Sequence, residues 1–210
     1  MAGLPKMKLS RRERELEFRK NLVLDAAEEL FAESSFADAS VEDIAHRAEI
    51  SVGTLYNLFR SKEEIYRAVV SRSAQIFFHN IEERVEQARG PYEQVHAAVS
   101  YFFEHFSRYS RHFRHYVSAT NGFQWELKSQ LEQEALAAQQ RFFRRFVDVC
   151  QRGIDEGVFK GGIPAELMAV TVLGIPHSFL VVWLEQEGVD LMSLVPAALA
   201  ITDRVTGANP

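Results

Sequence analysis

The stretch EISVGTLYNLFRSKEE, residues 49–64, sets the small or polar Ser51, Val52, Gly53 and Thr54 at the front of a short helix, with Tyr56 and Asn57 just behind. Ser51 reads as an N-cap for a helix over 52–59 whose inward face is Leu55, Leu58 and Phe59. Ser61, with Glu64 three residues on, then reads as a capping box that opens another helix. Just upstream, ASVEDIAHRAEI (39–50) starts a two-turn helix at Ser40, with Val41, Ile44, Ala45 and Ala48 inward. Two short helices joined by about three residues predict a helix-turn-helix, whose second helix lies in the major groove of DNA. Small side chains at its front let the backbone approach the duplex, while the Tyr56 hydroxyl and the Lys62 ammonium suit phosphate oxygens. Taken singly, cap serines and a half-buried tyrosine occur in any helical protein. Their order is what points to DNA.

Working outward, NLVLDAAEELFAES (21–34) sets Leu22, Ala26, Ala27, Leu30 and Phe31 on one helical face. Residues 22–66 together resemble the amino-terminal domain of the tetracycline-repressor (TetR) family of transcription regulators. The matching features are an alanine-rich first helix, SVEDIA, AEISVGTLYNLF and RSKEEI. The resemblance implies DNA-contacting roles for Ser40, Ser51, Val52, Gly53, Thr54, Tyr56 and Lys62, and Asn57 joins them as a candidate on the same helix. Three positions depart from the family pattern. Glu49 and Ser35 stand where the family usually has glycine, at places that favour positive φ, and Leu58 replaces the usual histidine or aromatic.

Composition bounds the rest. A chain of 210 residues with 47% hydrophobic content can bury a sizeable core. Its formal charge is −5, so any nucleic-acid binding has to rest on local cations. Residues 1–20 supply some, with Lys6, Lys8, Arg11, Arg12, Arg14, Arg19 and Lys20 against three glutamates, and read as a basic flexible arm. The lone Cys150 excludes an internal disulfide and a multi-thiolate metal site. No signal peptide or membrane span is expected, and the cytoplasm is the expected compartment.

Nearly every remaining segment has helical period, so the fold class predicted is all-α with about nine helices and no sheet. The expected division is the arm at 1–20, a helix-turn-helix domain at 21–66 and an effector-binding and dimerisation domain at 67–210. Helices are expected over 63–88, from Pro91 to about 106, 109–120, 123–156, from Pro164 through Trp183, and 190–206, with Gly174 and Pro176 kinking the penultimate one. Phe102, Phe106, Tyr109, Phe113 and Tyr116, with Phe142, Phe146 and Cys150, form apolar stripes that read first as core. They also suit a cavity for a hydrophobic, aromatic or acyl-chain effector, with His105, His112, His115, Asn121, Gln124 and Trp125 as polar contacts. In relatives of this kind the last two helices pair with their copies, which nominates Val172, Phe179, Val182, Trp183, Leu194 and Ala198 for a homodimer interface. A homodimer is also what a palindromic operator on double-stranded DNA requires.

His105, His112 and His115 raise a metal-sensing regulator, although no carboxylate or thiol shares their face, and neither a metal nor another cofactor is expected. An enzyme finds no support in phosphate-loop, dinucleotide or nucleophile motifs, and Cys150 sits in an apolar stripe where thiols are usually inert. A helical interaction module with impaired DNA binding draws on Glu49.

Overall fold

The computed structural model describes residues 10–34, 36, 38–108, 132–186 and 188–208. Among them are eight α-helices and no strand: α1 (Arg11–Glu33), α2 (Val41–Arg47), α3 (Val52–Leu58), α4 (Lys62–Gln87), α5 (Pro91–Arg108), α6 (Gln133–Asp155), α7 (Ala165–Glu185) and α8 (Val195–Thr206). A 3-10 turn over Leu191–Leu194 leads into α8, where the sequence suggested one helix from 190. The helix expected over 109–120, and the start of the one expected from 123, lie outside the described residues.

The first helix corrects the flexible-arm expectation for residues 11–20. Ser10 is a working N-cap: its Oγ accepts from the Glu13 N–H at 3.2 Å, while the Ser10 N–H donates to Glu13 Oε2 at 2.7 Å. That same backbone donor holds the Glu13 carboxyl below the usual range. Arg, Glu and Leu are good helix formers, and Arg19 bonds Glu15 one turn back at 2.8 Å. A closed N-terminus and a run of strong formers make a helix out of what charge counting reads as a tail.

Two hydrophobic clusters organise the chain. The smaller joins Val23, Ala27 and Phe31 of α1, Ile44 and Ala45 of α2, and Leu55 of α3 to Ile65 and Val69 in the first two turns of α4. The larger begins further along α4, at Phe77 and Ile81, and takes in Val99 and Phe103 of α5, Phe146 of α6, Met168 and Leu180 of α7, and Ala198 of α8. Each fully buried aliphatic or aromatic side chain of this kind contributes about 1.5–3 kcal/mol. Helix α4, about 39 Å long at 1.5 Å per residue, therefore runs from one core into the other.

Helix α7 is long and apolar enough to cross a membrane by length and composition alone, with a mean hydropathy of 2.0 over its best 18-residue window. Met168, Ala169, Val172, Ile175 and Leu180 on it are nonetheless packed into the protein. Pro176 removes one backbone donor within the helix, and nearby carbonyls find side-chain partners. His177 Nδ1 lies 2.7 Å from the Leu173 carbonyl, and Ser178 Oγ donates to the Gly174 carbonyl at 3.3 Å.

At the end of α6 the backbone of Gly153 passes the buried Phe159 ring so closely that a Cβ there would sit 2.1 Å from it. Gly153→Ala should therefore destabilise the protein by about 1–3 kcal/mol, against the gain of up to about 1 kcal/mol that alanine brings to a helix interior. Urea unfolding followed by circular dichroism measures the difference. A higher midpoint for the variant would contradict the close contact.

Candidate nucleic-acid interface

Helices α2 and α3 are capped as their sequences require. Ser40 Oγ accepts from the Asp43 N–H at 3.0 Å, and Ser51 Oγ accepts from the Thr54 N–H at 3.1 Å. The Ser51 and Thr54 hydroxyls also meet at 2.8 Å, so both serve the helix end first. Leu55 anchors α3, fully buried, and Phe59 closes it, while Tyr56 is 50% exposed and Asn57 is exposed on the opposite side. Gly53 is exposed, and a Cβ on it would meet nothing within 4 Å. The fold itself does not call for glycine there.

The turn between α2 and α3 closes by two backbone bonds around a left-handed residue. The Glu49 N–H reaches the His46 carbonyl at 3.1 Å, and the Ile50 N–H reaches the Ala45 carbonyl at 3.0 Å. That is the Schellman pattern, in which glycine is the favoured left-handed residue. Here Glu49 occupies it, with φ of 55°, and is the only described non-glycine residue with positive φ. The strain inferred for this position from sequence is present, and the turn keeps its bonding; Ser35 lies outside the described residues.

Lys62 departs from the role expected for it. Its Nζ donates to the Phe36 and Ala39 carbonyls at 2.7 and 2.8 Å and lies 4.5 Å over the Phe36 ring. The ammonium thus ties the α1–α2 connection to α4, because these part-buried loop carbonyls have no helix partner and this long side chain reaches them. Arg47, on the surface, is paired with Glu33 at 2.8 Å. The sequence reading passed over the exposed Arg60, just past α3, and counted Lys20 only as part of a flexible arm, whereas its Nζ lies 5.8 Å over the Phe59 ring. A helical α1 carries Lys20 to the end of α3, and a flexible arm offered no signal of that.

Further along the chain, Phe102, Phe142, Phe146 and Cys150 are buried and Phe106 is half-buried, all in the larger core. Two more phenylalanines, missed by the sequence reading, join them from α4. Phe77 lies 5.7 Å from Phe102 edge-to-face and 4.9 Å from the His105 ring, and Phe78 lies 6.0 Å from Phe142. The signal was the Phe77–Phe78 pair in a helix read only as a connector. His177 of α7 meets Phe102 at 4.7 Å. Burial pushes His105 down to about 4 and lowers His177 as well. The Cys150 thiol is pushed up to about 12 by burial, which makes it a packing group. Tyr109, His112, Phe113, Tyr116 and Trp125, with His115, Asn121 and Gln124, lie outside the described residues. No group of three or more His, Cys, Asp or Glu placed to hold a metal occurs among the described residues. A cleft of about 190 Å³ between α4 and α6 opens onto Phe142 and Phe146, with Glu82, Glu86, Arg145 and Arg152 at its rim.

Of the residues nominated for a dimer interface, Val172, Trp183 and Ala198 are buried within the single chain, and the Trp183 Nε1–H donates to the Val189 carbonyl at 2.9 Å. Phe179 and Leu194 are half-buried, and Val182 is exposed. The apolar residues that α7 leaves in solvent are Leu167, Val170, Val181 and Val182, each 44–55% exposed. The nominated set thus mixes two faces, because α7 is apolar nearly all round and periodicity cannot say which side turns inward.

Residues 23–69 match the family described as bacterial regulatory proteins, tetR family. A fatty acid metabolism regulator protein of Bacillus subtilis is 24% identical over 183 residues, covering 85% of this chain and 91% of its own length. The transcriptional repressor KstR2 of Mycobacterium tuberculosis is 27% identical over 160 residues, covering 71% and 74%. Among solved structures, that of the regulator FadR from Bacillus subtilis in complex with stearoyl-CoA superposes with a TM-score of 0.69 at 22% identity, over 90% of this chain and 99% of that one. The likeness of fold thus extends well beyond the matched amino-terminal residues.

The strained turn yields a direct expectation. Glu49→Gly relieves the left-handed conformation and should raise stability by about 1 kcal/mol. Thermal unfolding of the two proteins side by side tests it. An unchanged or lower midpoint would mean that the Glu49 side chain contributes something the turn geometry does not reveal.

Proposed function

We propose that this chain, which carries a TetR-family DNA-binding domain at its amino terminus, is a homodimeric transcriptional repressor released from a palindromic operator by an effector of the fatty-acyl class. The observation that carries the DNA-contact part is Gly53. A glycine in the first turn of a helix, with open space where its side chain would be, weakens the helix and serves nothing inside the protein. Close approach of a duplex gives it a purpose, and the exposed Tyr56 and Asn57 on the same helix supply donors and acceptors for phosphate and base edges.

Dimerisation rests on the exposed stripe of α7. Leu167, Val170, Val181 and Val182 fall at helical spacing on either side of Gly174, and such a face is buried in stable proteins by a partner. A second copy related by twofold symmetry presents the same stripe and sets two recognition helices at a fixed separation, as two operator half-sites demand. The effector class is supported by the aromatic core around Phe77, Phe102, Phe106 and Phe142, and by relatives described as regulating fatty acid metabolism or bound to stearoyl-CoA. An acyl thioester bound more tightly by the dimer whose recognition helices are misplaced for the operator would release it, since only differential affinity shifts such an equilibrium. As a DNA-binding protein it acts in the cytoplasm.

Fluorescence anisotropy with duplexes from the chain's own upstream region and with random duplex, at two salt concentrations, tests the proposal. Tight, salt-dependent, selective binding by two subunits is expected, with stearoyl-CoA lowering it; equal binding to random DNA at both salts contradicts it. Gly53→Ala should raise the melting temperature slightly yet weaken operator binding about tenfold, roughly 1.4 kcal/mol. Undiminished binding by that variant would remove the contact assigned to α3. Val170→Asp should shift the protein to monomer in sedimentation, and a variant still dimeric would place the interface elsewhere.

A further inference from the structure

Among the described residues, α4 is thinly packed between the two hydrophobic cores. The smaller core ends at Val69 and the larger begins at Phe77, and the described residues in between form a small cluster of Ala74 and Ala135 with Val70, Phe78 and Leu136. At that gap two consecutive polar residues reach in opposite directions. Ser71, 1% exposed, accepts the Glu132 N–H on its Oγ at 2.8 Å, and Glu132 is the N-cap residue of α6 with no side-chain cap of its own. A hydroxyl from α4 thus satisfies one of the amides that the start of α6 leaves over.

Arg72 reaches the other way. Its two terminal nitrogens each take a different carboxylate of α1, Asp25 and Glu28, both at 2.6 Å. The guanidinium is 22% exposed and Glu28 is 28% exposed, so this clamp is more sheltered than the other arginine pairs of α4 and α6, where the arginine is at least half exposed. Charged bonds of fixed fork geometry define an angle between two helices better than interchangeable methyl contacts do. Where apolar packing is sparse, such bonds decide how the DNA-binding helices sit on the rest of α4.

We propose that Arg72 is the positioning residue that fixes the DNA-binding domain on α4, with Ser71 registering the start of α6 from the opposite side of the same turn. Arg72 acts through α1 and does not itself touch DNA. The proposal rests on the operator-binding reading above and adds the regulated joint to it. In a dimer the consequence is specific. An operator with two half-sites requires both recognition helices at one separation, whereas a duplex holding a single half-site does not. Loosening the joint therefore lowers affinity for the full operator and spares the half-site.

The test compares wild type, Arg72→Glu, the pair Asp25→Arg with Glu28→Arg, and the three changes combined, each confirmed folded by circular dichroism. Full-length protein is titrated against the full operator and against the single half-site. Arg72→Glu is expected to cut the ratio of full-site to half-site affinity about tenfold or more, and reversing all three charges should restore most of that ratio. Arg72→Lys, which keeps the charge but loses the fork, should fall between. Equal weakening on both duplexes, an unchanged ratio, or no recovery in the combined variant overturns the assignment. A wild-type protein with no preference for any operator fails earlier, because it removes the regulator reading on which the inference stands.

Discussion

Helix α4 contributes side chains to two separate hydrophobic clusters, and that division of one helix is the constraint from which the rest of the architecture follows. Its first two turns complete the small amino-terminal core, since α1, α2 and α3 alone leave Phe31, Ile44 and Leu55 without the cover that Ile65 and Val69 provide. Its later turns are one wall of the larger core. Neither cluster can shift along α4 without exposing apolar surface, at roughly 25 cal/mol for each Å². What remains adjustable is the angle at the gap between them, where Ser71 and Arg72 sit.

Small domains of this kind have little core to spare, so polar fastenings matter more than their number suggests. Lys62 is instructive. A lysine at the start of a helix near DNA invites a phosphate, yet two carbonyls on the α1–α2 connection hold its ammonium inside. Cation count therefore overstates what the surface offers a duplex, and Arg47, spent on Glu33, repeats the point. The electrostatic face of the domain is built from what these internal pairings leave over, including Arg60 and the Lys20 that a helical α1 delivers to the end of α3.

The amino-terminal domain was legible in the sequence because its signals are local. Ser40, Ser51 and Ser61 cap the helices they precede, and the left-handed turn at Glu49 appears where a missing glycine marked it. Among the described residues the remaining helices were legible in approximate bounds for the same reason. Facing was not. Trp183 and Val172 looked as suited to a partner as Val170 does, because a helix apolar all round carries no periodic contrast, and only packing against α5, α6 and α8 separates its sides. The capping of α6 by Ser71, and the clamp of Arg72 on Asp25 and Glu28, join positions 44–61 residues apart, and no local pattern records them.

In the dimer proposed above, these long-range polar contacts are where regulation would find its lever. A ligand changes DNA affinity only by binding two arrangements of a protein unequally, and on an operator with two half-sites those arrangements differ in how far apart the recognition helices stand. The two cores are close-packed and resist deformation. A hydrogen-bonded joint between them costs less to rearrange than either interior, and it lies between the aromatic cluster around Phe77 and Phe102 and the helices bearing Ser51 and Gly53. Placing the polar contacts there leaves each core rigid and makes their relative angle the coordinate on which the proposed effector response would act.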